Sequence, residues 1–213
     1  MLRHTNIFGI SLSVNEIPLK SKWLKFVKTL KYEPYPINNE IRNLDETGLT
    51  TVNRDVLSLK GLKELKIIIL KNVDDVMYNQ LGIKKDFKFF IQRSWVNRHP
   101  TKSGAPQHYH SNSVYSGVYY LQTPPQCGNL ILYDPLGNER IFKSTIGILF
   151  NKANESNSST VNLPQREGTL VLFPAFLKHS VEKNLSSDDR LSIAFDVWVK
   201  GQWSDGFMCY EIK

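Results

Sequence analysis

Three histidines and one arginine stand at spacings that could assemble a metal site beside an anion-binding group. His108 and His110 are two residues apart, and in a strand this spacing directs both side chains to one face. His179 and Arg190 follow downstream, and Arg190 opens the strand-like run RLSIAF. Neutral imidazoles bind iron, copper, nickel or zinc, so the residue types alone do not select the metal. Three ligands on one side leave open coordination positions, which are typical of a catalytic site.

Arg190 is the candidate for binding a carboxylate near this metal site. A guanidinium binds a carboxylate through two parallel hydrogen bonds, and a hydroxyl two residues away, that of Ser192, shares its strand face and can add a third. The alternative is a surface ion pair between Arg190 and Asp188 or Asp189. We favour the carboxylate site because the residues that alternate with Arg190 and Ser192 are apolar and predict a buried strand.

Strand face indicates the roles of two neighbouring tyrosines, and sequence context those of the two remaining histidines. In the run SGVYYL, Tyr120 shares a face with Ser116, so its hydroxyl is predicted to reach the same carboxylate. Tyr119 is predicted to point to the opposite face and pack. The two remaining histidines, His4 and His99, are interpreted as ordinary surface or core residues.

The elements that must position these residues are short strands. After residue 85 the chain contains aromatic and β-branched runs separated by Gly, Pro, Asn and Ser, which is typical of a sandwich or jelly roll. The runs are FKFFIQRSWV, SVYSGVYYL, NLILYDP, RIFKS, GILFN, TLVLFP, HSVEKN and RLSIAFDVWV. They predict that every candidate ligand lies in one β core.

The N-terminal third has a different pattern. It is predicted to contain a strand, a helix, a loop and a second helix, at residues 6–14, 22–31, 33–57 and 59–81. Ser21 is a candidate N-cap and Gly82 a candidate helix stop. We therefore expect a mainly β (α+β) protein that forms a single domain over residues 1–213, in which residues 1–85 pack on a β core at residues 86–213.

Composition limits the class of protein. The net charge of +7 owes much to lysines near the first helix, which we interpret as a solvated face because no nucleic-acid-binding motif accompanies them. Two cysteines are too few for a disulfide framework. The chain contains no run of about 18 apolar residues and begins too polar for a signal peptide. We therefore expect a cytoplasmic protein with no membrane and no nucleic acid among its partners.

The residues and their order resemble one family. The match covers about residues 87–200 and is carried by SWVN, HYHSNS, SGVYYL, YDP, GTLVLFP, His179 and RLS. These segments resemble the small 2-oxoglutarate/Fe(II) oxygenases of phages and marine bacteria, in the prolyl-hydroxylase-like superfamily. The N-terminal third resembles that family only loosely. If the chain is phage-encoded, its compartment is the host cytoplasm.

The resemblance implies a double-stranded β-helix (a cupin-like jelly roll) with Fe(II) at its mouth. It implies His108, His110 and His179 as metal ligands and catalytic residues. It also implies that Arg190 binds the distal carboxylate of 2-oxoglutarate, helped by Ser192 and Tyr120. The implied reaction consumes O2, converts 2-oxoglutarate to succinate and CO2, and hydroxylates an unidentified protein side chain or small metabolite, with ascorbate as the expected reductant.

His110 departs from the pattern of the wider superfamily, which has Asp or Glu at this position. A carboxylate offsets one unit of metal charge, whereas a neutral imidazole offsets none. Asp134 and Asp196 are the nearby acids that could compensate by orienting an imidazole.

Two other functions remain open at this stage. A cupin with three histidine ligands could carry out dioxygenation without 2-oxoglutarate, but residues 111–121 lack the cupin acid, and Arg190 has no role there. A metal-stabilised β module without enzyme activity could instead dock through the basic helix, and an open sheet edge would also suit a homodimer. The substrate lid is predicted from residues 99–107, residues 153–162 and the N-terminal region, with Trp95 and Asn97 as candidate lining residues.

Overall fold

Two antiparallel sheets make up most of the structure, a computed structural model that describes residues 9–35, 48–137, 145–147, 149–154, 156–204 and 209–212. The larger sheet contains β1 (Ser13–Glu16), β2 (Tyr32–Pro34), β3 (Leu49–Thr51), β4 (Lys88–His99), β6 (Tyr115–Gln122), β9 (Thr169–Pro174), β11 (Arg190–Ser204) and β12 (Cys209–Ile212). The smaller sheet contains β5 (Ala105–His108), β7 (Asn129–Tyr133), β8 (Thr160–Pro164) and β10 (His179–Val181).

The strand order brings distant segments together. The larger sheet runs β1-β9-β6-β11-β4-β3-β2, with β12 paired to the end of β11, and the smaller sheet runs β5-β10-β7-β8. Buried side chains from both sheets pack between them, among them Tyr120, Leu130, Leu132, Val171 and Phe173. Two facing antiparallel sheets around a shared core are the architecture of a jelly roll, so the predicted mainly β fold is confirmed.

Side-chain alternation gives the larger sheet two different faces. Along β11, Leu191, Ile193 and Phe195 are buried in the core beneath the helices. Arg190 and Ser192 point the other way and line a cavity between the sheets. This period of two is inherent to a strand, and it separates the packing residues from those available for chemistry.

The helices cover the outer face of the larger sheet. Helix α1 spans Ser21–Val27 and α2 spans Lys63–Asp74, after 3-10 turns at Val56–Ser58 and Lys60–Leu62 and before a π-helical turn at Asp75–Gln80. Leu65, Ile69 and Val73 of α2 recur every four residues and are fully buried against the sheet. Gly82 follows with a φ of +67°, a left-handed conformation that suits glycine and ends the helical segment. None of the helices in the described ranges is both long and apolar enough to cross a membrane.

The N-terminal region contains the predicted kinds of element, a strand and two helices, but their bounds and the predicted helix cap differ. Ser21 is not the N-cap: it is the first helical residue, and Lys20 precedes it without a side-chain capping bond. The predicted loop at 33–57 contains β3, because Leu49 and Thr50 pair with β4. The first strand, predicted at residues 6–14, begins at Ser13. Residues 1–8, which include His4 and the start of the predicted strand, lie outside the described residues.

Two further strands occupy segments that were predicted as loops. Strand β5 lies within residues 99–107 and their neighbour His108, and β8 overlaps the end of 153–162. Neither segment has the apolar alternation of a half-buried strand, since most β5 and β8 side chains are exposed. The predicted strand RIFKS falls at residues 140–144, all of which lie outside the described ranges.

Candidate active site

The three predicted ligand histidines converge at the mouth of the jelly roll. His108 ends β5 and lies directly opposite His179, which opens β10. His110 follows β5, where its backbone N–H donates to the Ala175 carbonyl at 3.0 Å. One ring nitrogen from each histidine lies within 4.8 Å of those of the other two. This spacing fits three ligands of a single metal ion.

Backbone carbonyls orient two of the three rings. Nδ1 of His108 donates to the Pro106 carbonyl at 2.8 Å, and Nδ1 of His179 donates to the Leu177 carbonyl at 3.0 Å. A carbonyl only accepts, so the proton resides on Nδ1 and the lone pair of Nε2 remains for a metal. Such hydrogen bonds at the far nitrogen are the usual partners of metal-binding histidines.

His110 is oriented by a carboxylate instead. Its Nδ1 lies 2.5 Å from Oδ1 of Asp196, which also accepts the Ser116 hydroxyl at 3.0 Å. Oδ2 of Asp196 pairs with Nε of Arg93, and the Asp196 side chain is fully buried. Burial alone would raise the pKa of Asp196, but the hydrogen bonds and charges of His110 and Arg93 outweigh it and lower the pKa. Asp196, one of the two acids considered as orienting partners, therefore contacts a ligand ring.

The surroundings keep His108 and His179 neutral. Burial, and then the neighbouring His108, lower the pKa of His179 to about 3. Burial also lowers the pKa of His108. A neutral imidazole offers a lone pair without first losing a proton, so the donor set fits a divalent metal at neutral pH.

Arg190 is buried at the other end of the same cavity, with 1% of its surface exposed. Its Nη1 donates to the backbone carbonyls of Cys127 and Glu182, while Nη2 has no hydrogen-bond partner among the described residues. The surface ion pair considered for Arg190 is wrong, because the side chain is buried and Asp189 accepts instead from Arg98 at 2.6 Å. A buried guanidinium with an unpaired nitrogen is costly unless an anion joins it.

The two residues predicted to help Arg190 lie beside it. Ser192 is directly opposite Tyr120 on the neighbouring strand, both are buried, and both line the cavity. Tyr119 points to the opposite face, where its hydroxyl donates to the Ile17 carbonyl at 2.9 Å. The structure thus places Tyr120 on the cavity face and Tyr119 in the core, as the alternation predicted.

The cavity that joins the two ends has a volume of about 880 Å³. One wall is the inward face of β4, where Trp95, Asn97 and His99 follow one another at every second residue. The Trp95 ring centroid is 5.7 Å from that of His110, whereas His99 lies opposite Arg190 in the strand register. Trp95 and Asn97 therefore line the cavity as expected.

Some lining residues were missed by sequence reasoning. His99 was interpreted as an ordinary residue, although its period-two relation to Trp95 and Asn97 was a usable signal. Gln165 also lines the cavity, and nothing in its sequence context indicated it, whereas Tyr35 belongs to the N-terminal region that was predicted to contribute to the lid. Of the predicted lid segment 99–107, His99 and residues 104–107 line the cavity, whereas the described residues of 153–162 do not.

Comparison with protein-family models identifies the class of protein. Residues 93–196 match the family described as "Putative 2OG-Fe(II) oxygenase", and over these residues the chain belongs to that family. This range contains all three histidines and Arg190. A comparison with curated protein sequences finds no significant match.

Solved structures share the fold. A Pseudomonas putida prolyl-4-hydroxylase has 14% identity and a TM-score of 0.54, over 88% of this chain and 92% of that chain. HygX from Streptomyces hygroscopicus, solved with nickel, 2-oxoglutarate and hygromycin B, has 14% identity and a TM-score of 0.55, over 88% and 82%. A 2OG-Fe(II) oxygenase family oxidoreductase from Burkholderia pseudomallei has 12% identity and a TM-score of 0.57, over 86% and 84%.

At these identities the structural likeness establishes the double-stranded β-helix fold alone. The family match adds the activity class, and the three-histidine site agrees with it. The chain is therefore a 2-oxoglutarate-dependent non-haem iron oxygenase.

Proposed function

We propose that this oxygenase hydroxylates an organic substrate, a protein side chain or a small metabolite, at a site built from His108, His110, His179 and Arg190. One observation supports this assignment above the others. Three imidazole nitrogens free to bind a metal share a cavity with a buried guanidinium whose Nη2 is unpaired among the described residues. This combination suits a metal ion together with a small dicarboxylate.

The three histidines would hold Fe(II) through Nε2. When bound, Fe(II) supplies the activation of O2 that couples oxidative decarboxylation of 2-oxoglutarate to oxidation of the substrate. The protein contributes ring orientation, because the Nδ1 atom of each ring is already engaged by Pro106, Leu177 or Asp196. The rings of His108 and His179, whose pKa values are lowered by burial, require no proton release before the metal binds.

Arg190 would bind the distal carboxylate of 2-oxoglutarate, with Ser192 and Tyr120 as hydroxyl donors. The guanidinium lies in buried surroundings, since Arg190, Ser192 and Tyr120 are each at most 5% exposed. In such surroundings a charge-assisted hydrogen bond is stronger than it is in water. Trp95 and Phe173 add apolar walls that exclude water from the reacting centre.

Asp196 would supply the negative charge that His110 lacks. By accepting the Nδ1 proton, its carboxylate makes the imidazole a stronger donor to the metal. In the wider superfamily an acid stands at the position of His110, whereas here the acid, Asp196, lies behind the His110 ring. Arg93 and Ser116 hold Asp196 in place.

The direct test is turnover of the cofactor. Purified protein supplied with Fe(II), ascorbate and O2 should convert 2-oxoglutarate to succinate slowly even without substrate, measured by chromatography of the acids. His179→Ala should abolish the conversion. Protein that retains stoichiometric iron yet forms no succinate under these conditions would contradict the proposal.

The cupin-type alternative predicts a different result in the same assay. Three neutral ligands suit it, and it would show O2 uptake with an organic substrate that does not depend on 2-oxoglutarate. The buried Arg190 would then have no anion to bind, which is why we favour the 2-oxoglutarate reaction. A docking role for the basic helix has less support, since Lys20 and Lys22 both pair with Glu64.

A further inference from the structure

His99 is a deeply buried polar side chain in the cavity wall that the proposed chemistry has not yet used. It is 1% exposed, and neither Nδ1 nor Nε2 has a hydrogen-bond partner in the described ranges of the chain. Leaving a buried donor or acceptor unpaired costs about 1–3 kcal/mol. Native proteins keep few such groups, and one that lines a cavity points to a ligand.

Arg190 lies directly opposite His99 on the adjacent strand. Its Nη1 is already engaged by two backbone carbonyls, which leaves Nη2 as the nitrogen without a described partner at this end of the cavity. Two groups that need a ligand, a cation and an imidazole, therefore line the same end of the cavity.

The imidazole is fixed in this position by its packing. A Cβ at Gly48 would lie 2.8 Å from Cδ2 and 3.0 Å from Nε2 of His99, so only glycine leaves room for the ring there. The Tyr35 ring packs on His99 with a centroid distance of 6.0 Å. Asn184 also holds the His99 backbone carbonyl at 2.9 Å. Gly48 and Tyr35 thus place the ring and Asn184 holds its backbone, and none of these contacts is a hydrogen bond to a ring nitrogen.

The ring is also neutral. Burial lowers the pKa of His99 well below its usual value, and the nearby charge of Arg190 lowers it further. A neutral imidazole carries one N–H donor, which suits an acceptor shared with a cation. A carboxylate has two oxygens and accepts from more than one donor at a time.

We propose that His99 and Arg190 together bind the distal carboxylate of 2-oxoglutarate, with the His99 N–H donating to one oxygen and Nη2 of Arg190 to the carboxylate as well. This inference rests on the proposed function and adds a residue to its cofactor site. His99 would then select a diacid over a 2-oxo acid that lacks the second carboxylate. Its role is confined to the end of the cavity away from the metal.

The test compares two ligands that share the 2-oxo acid group. Calorimetry on Zn(II)-loaded protein would measure 2-oxoglutarate and 2-oxobutanoate, which lacks the distal carboxylate, since Zn(II) occupies the site without redox chemistry. His99→Leu should weaken 2-oxoglutarate binding by about 10- to 100-fold. Binding of 2-oxobutanoate should be unchanged, and His99→Gln, which keeps a donor, should recover some of the loss.

Two results would overturn the inference and leave the proposed function intact. One is a His99→Leu variant that binds 2-oxoglutarate as well as the wild type does. The other is equal weakening for both ligands, which would mark His99 as a merely structural residue. Wild-type protein that binds Zn(II) but no 2-oxoglutarate would instead overturn the proposed function together with this inference.

A measurement on the wild-type protein covers the case in which His99→Leu does not fold. The imidazole NMR signals of His99, assigned by their absence in His99→Gln, should shift when 2-oxoglutarate is added to the Zn(II)-loaded protein. They should not shift with 2-oxobutanoate. His99 signals that stay in place at saturating 2-oxoglutarate would overturn the inference.

Discussion

The two ends of the cavity differ in whether their polar groups already have hydrogen-bond partners within the protein. At the metal end, every ligand ring has its Nδ1 engaged by the protein itself, through Pro106, Leu177 or Asp196. At the guanidinium end, Arg190 and His99 are each only 1% exposed, yet Nη2 of Arg190 and both ring nitrogens of His99 have no hydrogen-bond partner among the residues that the structure describes.

This contrast shows what each end needs from its ligand. A metal ion needs ligands whose directions are set in advance, so the protein uses its hydrogen bonds for orientation and leaves only lone pairs free. An anion needs donors, so the protein leaves donors free. Substitutions at one end should therefore affect metal binding, and substitutions at the other end should affect 2-oxoglutarate binding.

Removing a ligand ring should have the largest effect. His179→Ala is expected to lower metal affinity by more than the ~10- to 100-fold that loss of an orienting partner causes, because a direct bond is lost. Metal content after gel filtration and chelator competition would measure it. Retention of stoichiometric iron would remove His179 from the ligand set.

Arg190→Ala should change ligand binding at the guanidinium end of the cavity without changing metal binding at the other end. We expect 2-oxoglutarate affinity to fall by about 100-fold or more, since a buried charge partner is lost, while metal affinity stays the same. Arg98→Ala is the matched control, because Arg98 is partly exposed and pairs with Asp189 away from the cavity. Equal 2-oxoglutarate affinity in wild type and Arg190→Ala would refute the role of Arg190 in binding the carboxylate.

Asp196→Asn tests whether the orientation of His110 is set by a charge. The amide cannot replace the carboxylate as a charged acceptor, so metal affinity should fall by about 10- to 100-fold. The visible spectrum of Co(II)-loaded protein should change as the donor strength of His110 drops. Asp189→Asn, which removes an acid from an ion pair outside the site, should change neither quantity.

The stability of metal-free protein should depend on pH through His179. Its pKa is about 3 in the fold and about 6.5 in an unfolded chain. Between these values the unfolded state holds a proton that the folded state lacks, so stability falls as pH is lowered from about 6.5 towards 3, by up to ~1.4 kcal/mol per pH unit. Urea unfolding at several pH values should show a smaller slope for His179→Gln, and equal slopes would contradict the burial argument.

The paired tyrosines offer the smallest and most selective comparison. Tyr120→Phe should weaken 2-oxoglutarate binding by about 2- to 10-fold, the range for one hydrogen bond. Tyr119→Phe should leave that binding unchanged and lower the free energy of unfolding by ~1 kcal/mol, because it removes the bond to the Ile17 carbonyl. A reversed result would exchange the faces of the two tyrosines.

Much of this site could be predicted because strand periodicity is local. The pairing of Arg190 with Ser192 on one face, and the separation of Tyr120 from Tyr119, follow from a period of two and need no knowledge of neighbouring strands. Periodicity failed at β5 and β8, whose mostly exposed side chains carry no apolar alternation. Residue type was misleading at Ser21, where a serine suggested an N-cap, but the helix already includes this residue.

Residue type and local spacing were enough to predict a mainly β sandwich or jelly roll and to select the three histidines and the arginine as candidates, because these predictions do not require knowing which strands become neighbours. Only the tertiary structure showed which acid contacts His110 and which residue faces Arg190. Both contacts depend on strand register, since Asp196 contacts His110 only when β11 pairs with β6, and His99 faces Arg190 only when β11 pairs with β4. Register is set by the packing of the whole sheet, and no short stretch of sequence contains it.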